Sequence, residues 1–170
     1  MEKNYQLYEH QAQYYETDQM GIIHHSNYIR WFEEARTNML EQMGFGYDQM
    51  EKSGIIVPVL AVNCEYKSMV HYNDRVYIVP KIEQFNGIRL QISYRVMDKT
   101  THALRAYGES KHCFLDATSR PISLKKVDKE LYDLFVSYVD KDLDQHITEE
   151  KVSSEKGDEN IDHDRSNWMG

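Results

Sequence analysis

One long amphipathic helix pattern, at residues 27–43, stands out in a chain whose other patterns are mostly those of strands. Apolar residues recur there every three or four positions: Tyr28, Trp31, Phe32, Ala35, Met39, Leu40 and Met43. Ser26 is the expected N-cap, and Gly44 is expected to end the helix. Arg36 falls on the apolar side, so we expect it to pair or snorkel. A helix with so wide an apolar face needs another layer of structure to cover it.

Five strand patterns supply that layer. They lie at residues 4–15, 55–66, 75–85, 88–97 and 103–115, and shorter helices are predicted at 47–52 and 128–139. The run 55–66 is apolar on both faces and predicts a strand buried on both sides. Pro80 predicts a strand edge or a bulge, and Asn86-Gly87 predicts a hairpin. The order predicts an α+β domain whose antiparallel sheet wraps the long helix, with an edge that a second copy could cover.

The charge of the chain is concentrated at its C-terminal end. Residues 140–170 hold ten acidic and four basic residues, so this segment carries −6 of the formal net charge of −8. We therefore expect one domain at 1–139, followed by an acidic, polar and mobile tail at 140–170. The remaining body is close to neutral, which argues against nucleic acid as a partner.

The sequence also bears on the compartment. It has no apolar leader segment and no apolar run of transmembrane length. We expect a cytoplasmic protein without an integral membrane segment, in which Cys64 and Cys113 stay reduced.

Reactive residue types cluster in the loop before the long helix: Glu16, Thr17, Asp18, His24, His25, Ser26 and Asn27. A helix start offers free backbone N–H groups and a positive dipole end, which can hold an oxyanion. A carboxylate beside it, such as Asp18, can attack a carbonyl or activate water, and thioesters suit this chemistry because thiolate leaves readily. The alternative is that Asp18 only caps the helix and that the histidines only pack the loop.

Other kinds of site lack support in the sequence. Asp18, His24 and His25 would make a poor metal site, because neighbouring histidines in an extended segment point in opposite directions and no third ligand stands out. The chain has no GxSxG motif, no phosphate-binding glycine-rich loop and no context that favours a cysteine thiolate. We expect neither a metal nor a cofactor.

The segment YYETDQMGIIHHSNYIRWFEEAR (14–36) resembles the signature of the 4-hydroxybenzoyl-CoA thioesterase family, including its short-chain acyl-CoA branch linked to the Tol-Pal system. The matching positions are Asp18, Gly21, Ile22-Ile23, His25 and Asn27, followed by the aromatic-rich helix. Weaker similarity continues through VPVLAVNCEY (57–66) and RPISL (120–124), so the resemblance covers roughly residues 4–138.

This resemblance implies a hotdog fold, in which a five-stranded antiparallel sheet wraps a long central helix. It implies a homodimer with one continuous sheet, commonly paired again into a homotetramer, and active sites at the dimer interface. The implied reaction is hydrolysis of acyl-CoA to free acid and CoA. Asp18 would be the nucleophile or general base, and the His25 backbone N–H would contact the thioester carbonyl while its side chain positions water or Asp18. Asn27 and Arg89 are the expected substrate-binding residues, Arg89 at the CoA phosphates.

Two other functions stay open on the same residues. A hotdog hydratase or dehydratase would use Asp18 and His25 as an acid–base pair on an enoyl thioester. A non-catalytic acyl-CoA-binding protein would keep the fold without turnover. An acyl carrier protein could replace CoA as the carrier, although its acidic surface would prefer a more basic body.

Overall fold

The chain folds as one sheet with helices, and the computed structural model describes residues 4–145 and 147. A short strand, β1, is followed by a 3₁₀ turn at Tyr14–Glu16, two helices, four longer strands and two final helices. The bounds are β1 Tyr8–Gln11, α1 Ser26–Met43, α2 Tyr47–Ser53, β2 Val59–Tyr66, β3 Arg75–Phe85, β4 Arg89–Asp98, β5 Leu104–Cys113, α3 Leu124–Val127 and α4 Lys129–Tyr138.

The five strands form one antiparallel sheet in the order β1-β3-β4-β5-β2. Helix α1 packs against it, and all seven apolar residues of the predicted stripe are buried. Phe32 stacks on Tyr94 of β4 with ring centroids 4.6 Å apart. Gly108 of β5 permits this approach, because a Cβ there would lie 2.4 Å from Phe32 Cε2. The predicted α+β architecture is confirmed.

The start of α1 differs from the prediction. The helix includes Ser26, and the preceding residue, His25, already has helical backbone angles of φ −54° and ψ −30°. An N-cap residue has a non-helical backbone, so the assignment of Ser26 as N-cap is wrong. Its hydroxyl instead lies 2.8 Å from His24 Nδ1.

Within the described part of the chain, strand β2 is at the edge of the sheet and pairs only with β5. Four of its apolar side chains, Val59, Leu60, Val62 and Tyr66, are between 41% and 48% exposed. The prediction of a strand buried on both sides is therefore wrong for a single chain. The apolar composition of β2 shows that the strand can be buried, but it does not say whether the same chain or a second chain covers it.

Smaller differences lie at the element ends. β1 is much shorter than the predicted strand 4–15, because the chain turns into the 3₁₀ turn after Gln13. β3 is an inner strand of the sheet, and Pro80 lies between Ile78, where the pairing with β1 ends, and Ile82, which bridges Val139. The predicted edge is therefore a local gap in the pairing of the described strands, which accommodates a residue without an N–H. Helix α3, with Leu124 buried, was not predicted.

The beginning of the predicted acidic tail lies against the sheet. Lys81 Nζ is 3.0 Å from Asp140 and 3.2 Å from Asp142, and Arg95 Nη2 is 2.7 Å from Asp144. Ile147 is buried in a small cluster with Val79 and Met97. The rest of the tail, where mobility was expected, lies outside the described residues. Within the described part of the chain, none of the helices combines the length and apolar character needed to cross a membrane.

A chain of buried polar groups runs beneath α1. Arg36 Nη1 donates to the Tyr94 hydroxyl at 3.0 Å, which lies 2.7 Å from Ser110 Oγ, and Ser110 Oγ lies 2.7 Å from His112 Nε2. Arg36 therefore pairs, as expected. His112 is fully buried, and its burial together with the charge of Arg36 lowers its pKa from 6.5 to about 4.

The low pKa of His112 predicts a pH-dependent stability. Between pH 6.5 and about 4 the unfolded chain binds a proton at this histidine that the folded chain does not, so the free energy of unfolding falls as the pH is lowered. His112→Gln keeps a group that can bond Ser110 but removes the titration. Urea denaturation across this pH range should show that the free energy of unfolding decreases less for the variant than for the wild type as the pH is lowered. Equal losses would contradict the assignment.

Candidate active site

A cavity of about 320 Å³ lies between the loop before α1, the start of that helix and the end of β2. Asp18 and His25 both line it, together with Tyr28 of α1 and Tyr66 of β2. The structure therefore brings the two predicted catalytic residues to one cavity. Apolar side chains complete much of its wall, among them Met20, Ile22 and Met69.

A tight turn holds Asp18 at this cavity. Its backbone N–H donates to the Ile22 carbonyl at 2.9 Å, and its Oδ1 accepts the Met20 N–H at 2.8 Å. Gly21 allows the turn, because its φ of 76° is in the left-handed region. Within the described residues, Oδ2 of Asp18 accepts no hydrogen bond. One oxygen thus fixes the side chain, and the other is free to act on a ligand.

The two histidines lie side by side. The His24 and His25 rings are 4.1 Å apart at centroid, because the helical backbone of His25 turns its side chain back toward its neighbour. The expectation that they point in opposite directions is wrong. Across the described ranges, no three His, Cys, Asp or Glu side chains are grouped so that they could hold a metal ion.

Tyr66 fixes the start of α1 from the opposite wall. Its hydroxyl donates to the His25 carbonyl at 2.8 Å, and its ring packs edge-on against Tyr28. Burial, with a smaller contribution from Cys64, raises the pKa of Tyr66 to about 12, so the hydroxyl stays protonated as a donor. The His25 backbone N–H donates to no acceptor in the described part of the chain and is available to a ligand. No pattern in the sequence singles out Tyr66, which resembles a packing residue of an apolar strand.

Asn27 lies outside the cavity wall. Its side chain is buried, and its Nδ2 donates to the Glu16 carbonyl oxygen at 2.8 Å. In the structure, this predicted substrate-binding residue holds the loop before α1 through its hydrogen bond to Glu16.

The Glu16 carboxylate is buried behind the same loop. It accepts hydrogen bonds from His10 Nε2 at 2.8 Å, from the Gln13 backbone N–H at 2.8 Å and from Trp31 Nε1 at 2.7 Å. Burial alone would raise its pKa, but these three donors outweigh burial and hold the pKa of Glu16 below its usual value. Its residue type is visible in the sequence, whereas the convergence of donors from β1, the 3₁₀ turn and α1 is not.

Arg89 lines a second cavity, of about 440 Å³, with Leu60, Phe85, Lys111 and His112 among its other residues. Leu60 is near the start of β2 and Tyr66 is at its end, so the two cavities are separated along the strand by roughly 20 Å at the usual rise per residue. Within one chain, Arg89 is therefore not brought to Asp18. Lys111, a second cation beside Arg89, is a residue that the sequence did not single out.

Residues 13–146 match the family described as the Thioesterase-like superfamily. The chain belongs to this superfamily. The membership confirms the predicted hotdog fold and the predicted enzyme class, a thioester hydrolase.

Individual superfamily members agree with this. YneP of Bacillus subtilis is 36% identical over 68% of this chain and 84% of its own length. The acyl-CoA thioester hydrolase YbgC of Escherichia coli O157:H7 is 28% identical over 66% of this chain and 85% of its own. A crystal structure of DHNA-CoA thioesterase from Staphylococcus aureus superimposes with a TM-score of 0.72 at 32% identity, covering 78% of this chain and 89% of that one.

The cysteines of this superfamily member are poor candidates for the nucleophile. Both are free and partly buried. Burial raises the pKa of the Cys64 thiol to about 11, which disfavours the thiolate. Asp18 is the better candidate at this cavity.

The position of Asn27 predicts that Asn27→Ala lowers stability. The variant leaves the Glu16 carbonyl without its side-chain donor and opens a small void, at a cost of about 1–3 kcal/mol. Asn38→Ala is a matched control, because Asn38 is on the outer side of the same helix and its side chain accepts a hydrogen bond from Gln42 of that helix. Urea denaturation should separate the two variants. An unchanged stability with a raised KM would show instead that Asn27 contacts the substrate.

Proposed function

We propose that this chain hydrolyses acyl-CoA thioesters to the free acid and CoA at the cavity that Asp18 and His25 share. The observation behind the proposal is the pairing, at one cavity, of a carboxylate oxygen without a partner and a backbone N–H without an acceptor, both among the described residues. The similarity to YbgC, an acyl-CoA thioester hydrolase, supports the choice of CoA as the carrier.

In this mechanism the thioester carbonyl oxygen accepts a hydrogen bond from the His25 N–H at the start of α1. The positive end of the helix dipole stabilises the negative charge that develops on that oxygen. Asp18 Oδ2 either attacks the carbonyl carbon, to form an anhydride that water then opens, or takes a proton from the water that attacks. The carbon–sulfur bond breaks, and CoA leaves as the thiolate.

The acyl group would lie against the apolar part of the wall, formed by Met20, Ile22 and Met69. These side chains are flexible or aliphatic and can adapt to different acyl groups. The His25 side chain, exposed at the mouth of the cavity, would position the attacking water.

Strand β2 would complete the site by pairing with β2 of a second copy. Its exposed apolar edge is of the kind that an isolated protein would normally cover. A two-fold axis near the middle of the strand sets the start of one β2 beside the end of the other. The Asp18 cavity of one chain would then adjoin the Arg89 cavity of its partner.

Arg89 and Lys111 would hold the CoA phosphates in this dimer. Both residues line a cavity that also has apolar walls, which suits the pantetheine arm. The pairing of two dimers into a tetramer, the cytoplasmic location, and the 4-hydroxybenzoyl-CoA branch with its Tol-Pal link stay predictions from the sequence.

We predict that Asp18→Asn lowers kcat by about 10²-fold or more on the best acyl-CoA substrate, because the amide can neither attack nor accept a proton. Asp116→Asn is the matched control: Asp116 also accepts the N–H two residues on, from Thr118 at 2.9 Å, but lies outside the cavity. Thiol release and thermal unfolding should be measured for both. A folded Asp18→Asn protein with wild-type turnover would refute the role of Asp18.

The shared site predicts complementation between variants. Asp18→Asn and the double variant Arg89→Ala, Lys111→Ala should each be weak at substrate concentrations below KM. Co-expression of the two chains should restore about a quarter of the wild-type sites, because half of the dimers are mixed and each mixed dimer has one intact site. Activity equal to the sum of the separate variants would show that each site is built from a single chain.

A further inference from the structure

The buried carboxylate of Glu16 lies outside the cavity, yet it is bonded to β1 and α1, the two elements that flank the loop carrying Asp18. Its two oxygens accept from His10 of β1, from Gln13 of the 3₁₀ turn and from Trp31 of α1. Glu16 as a whole is only 5% exposed. Three donors therefore converge on one charge that has little contact with water.

The backbone of the same residue makes two further connections. The Glu16 carbonyl oxygen accepts from Asn27 Nδ2 and from the His24 backbone N–H, each at 2.8 Å. His24 directly precedes His25, and Asn27 is in the first turn of α1. Glu16 thus fixes both the position where the chain enters the loop and the position where it leaves it.

The loop between these positions is closed on itself. Thr17 and Ile23 form an isolated antiparallel bridge, and the bonds of Asp18 among the described residues go to Ile22, Met20 and Gly21 of the same loop. The loop is also held from outside, since the Ile23 N–H donates to the Val70 carbonyl at 2.8 Å and Ile22 bridges His71. The loop is therefore a small unit with two attachments: Ile22 and Ile23 hold it to residues 70–71, and Glu16 holds it to β1 and α1. The Glu16 attachment is the one that connects the loop to the start of α1, where His25 lies.

We propose that Glu16 is a positioning residue, which holds the loop so that the Asp18 carboxylate faces the His25 N–H across the cavity. The inference rests on the proposed function. Stability alone does not require a carboxylate here, because a buried charge is costly to desolvate and apolar replacements of buried ionic groups are often neutral or stabilising. Placement of a reacting group, by contrast, is sensitive to shifts of about 1 Å.

Glu16→Gln tests the proposal because it keeps the size of the side chain. It replaces one accepting oxygen by an NH₂ group, which then faces an N–H donor and cannot accept from it. We expect a folded protein in which kcat per folded site falls at least tenfold while KM changes little. Glu34→Gln is the matched control: Glu34 faces the same histidine from the outside, 3.8 Å from His10 Nδ1, with a side chain 48% exposed. It should keep wild-type kcat. A Glu16→Gln enzyme that loses only thermal stability, with unchanged kcat, would overturn the proposal.

A second pair of variants avoids Glu16 itself, in case its substitution prevents folding. His10→Gln retains an N–H that can donate to the carboxylate, and His10→Leu does not. The proposal expects kcat near that of the wild type for the first and a clear loss for the second. Equal kcat in the two variants would overturn it.

A double variant shows whether Glu16 acts through Asp18. In the Asp18→Asn background, Glu16→Gln should cause no further loss of residual thiol release, because there is no longer a carboxylate to position. Fully additive losses would overturn the positioning role while leaving the proposed function intact. Wild-type turnover by Asp18→Asn alone would overturn the proposed function, and the inference with it.

Discussion

The hydrogen bonds to the Glu16 carboxylate are the interaction on which the site depends. They are received from three separate segments, and the carbonyl of the same residue holds the start of α1. A buried charge with every donor in place is stable, whereas the same charge with one donor lost is costly, so the arrangement is held in one geometry. The Asp18 turn, with its own internal bonds, is attached to that geometry at Glu16 and to residues 70–71 through Ile22 and Ile23.

The second constraint is the apolar edge of the sheet. β2 exposes four large apolar side chains along an edge whose backbone groups can pair with another strand. The strand also links the two cavities, with Tyr66 in the wall of one and Leu60 in the wall of the other. In the proposed dimer, the same edge therefore joins the two chains and completes the active site.

The sequence predicted those parts of the fold that depend on local periodicity. The stripe on α1 and the alternation in β4 follow directly from which residues a single element can bury. Asp18 and His25 were singled out as candidates from their residue types before a predicted helix and from the family resemblance of the same segment. Tyr66, Lys111 and the role of Glu16 could not be found this way, because each depends on partners distant in sequence. The same limit applies to β2, whose composition does not say which chain covers it.

The most direct test of the account is thiol release by the purified wild-type chain from short, long and aromatic acyl-CoA esters. The account predicts release that is stoichiometric with free acid for at least one member of this set. Binding of the esters without release, or a change in the enoyl absorbance without free thiol, would contradict it and favour an acyl-CoA-binding protein or a hydratase.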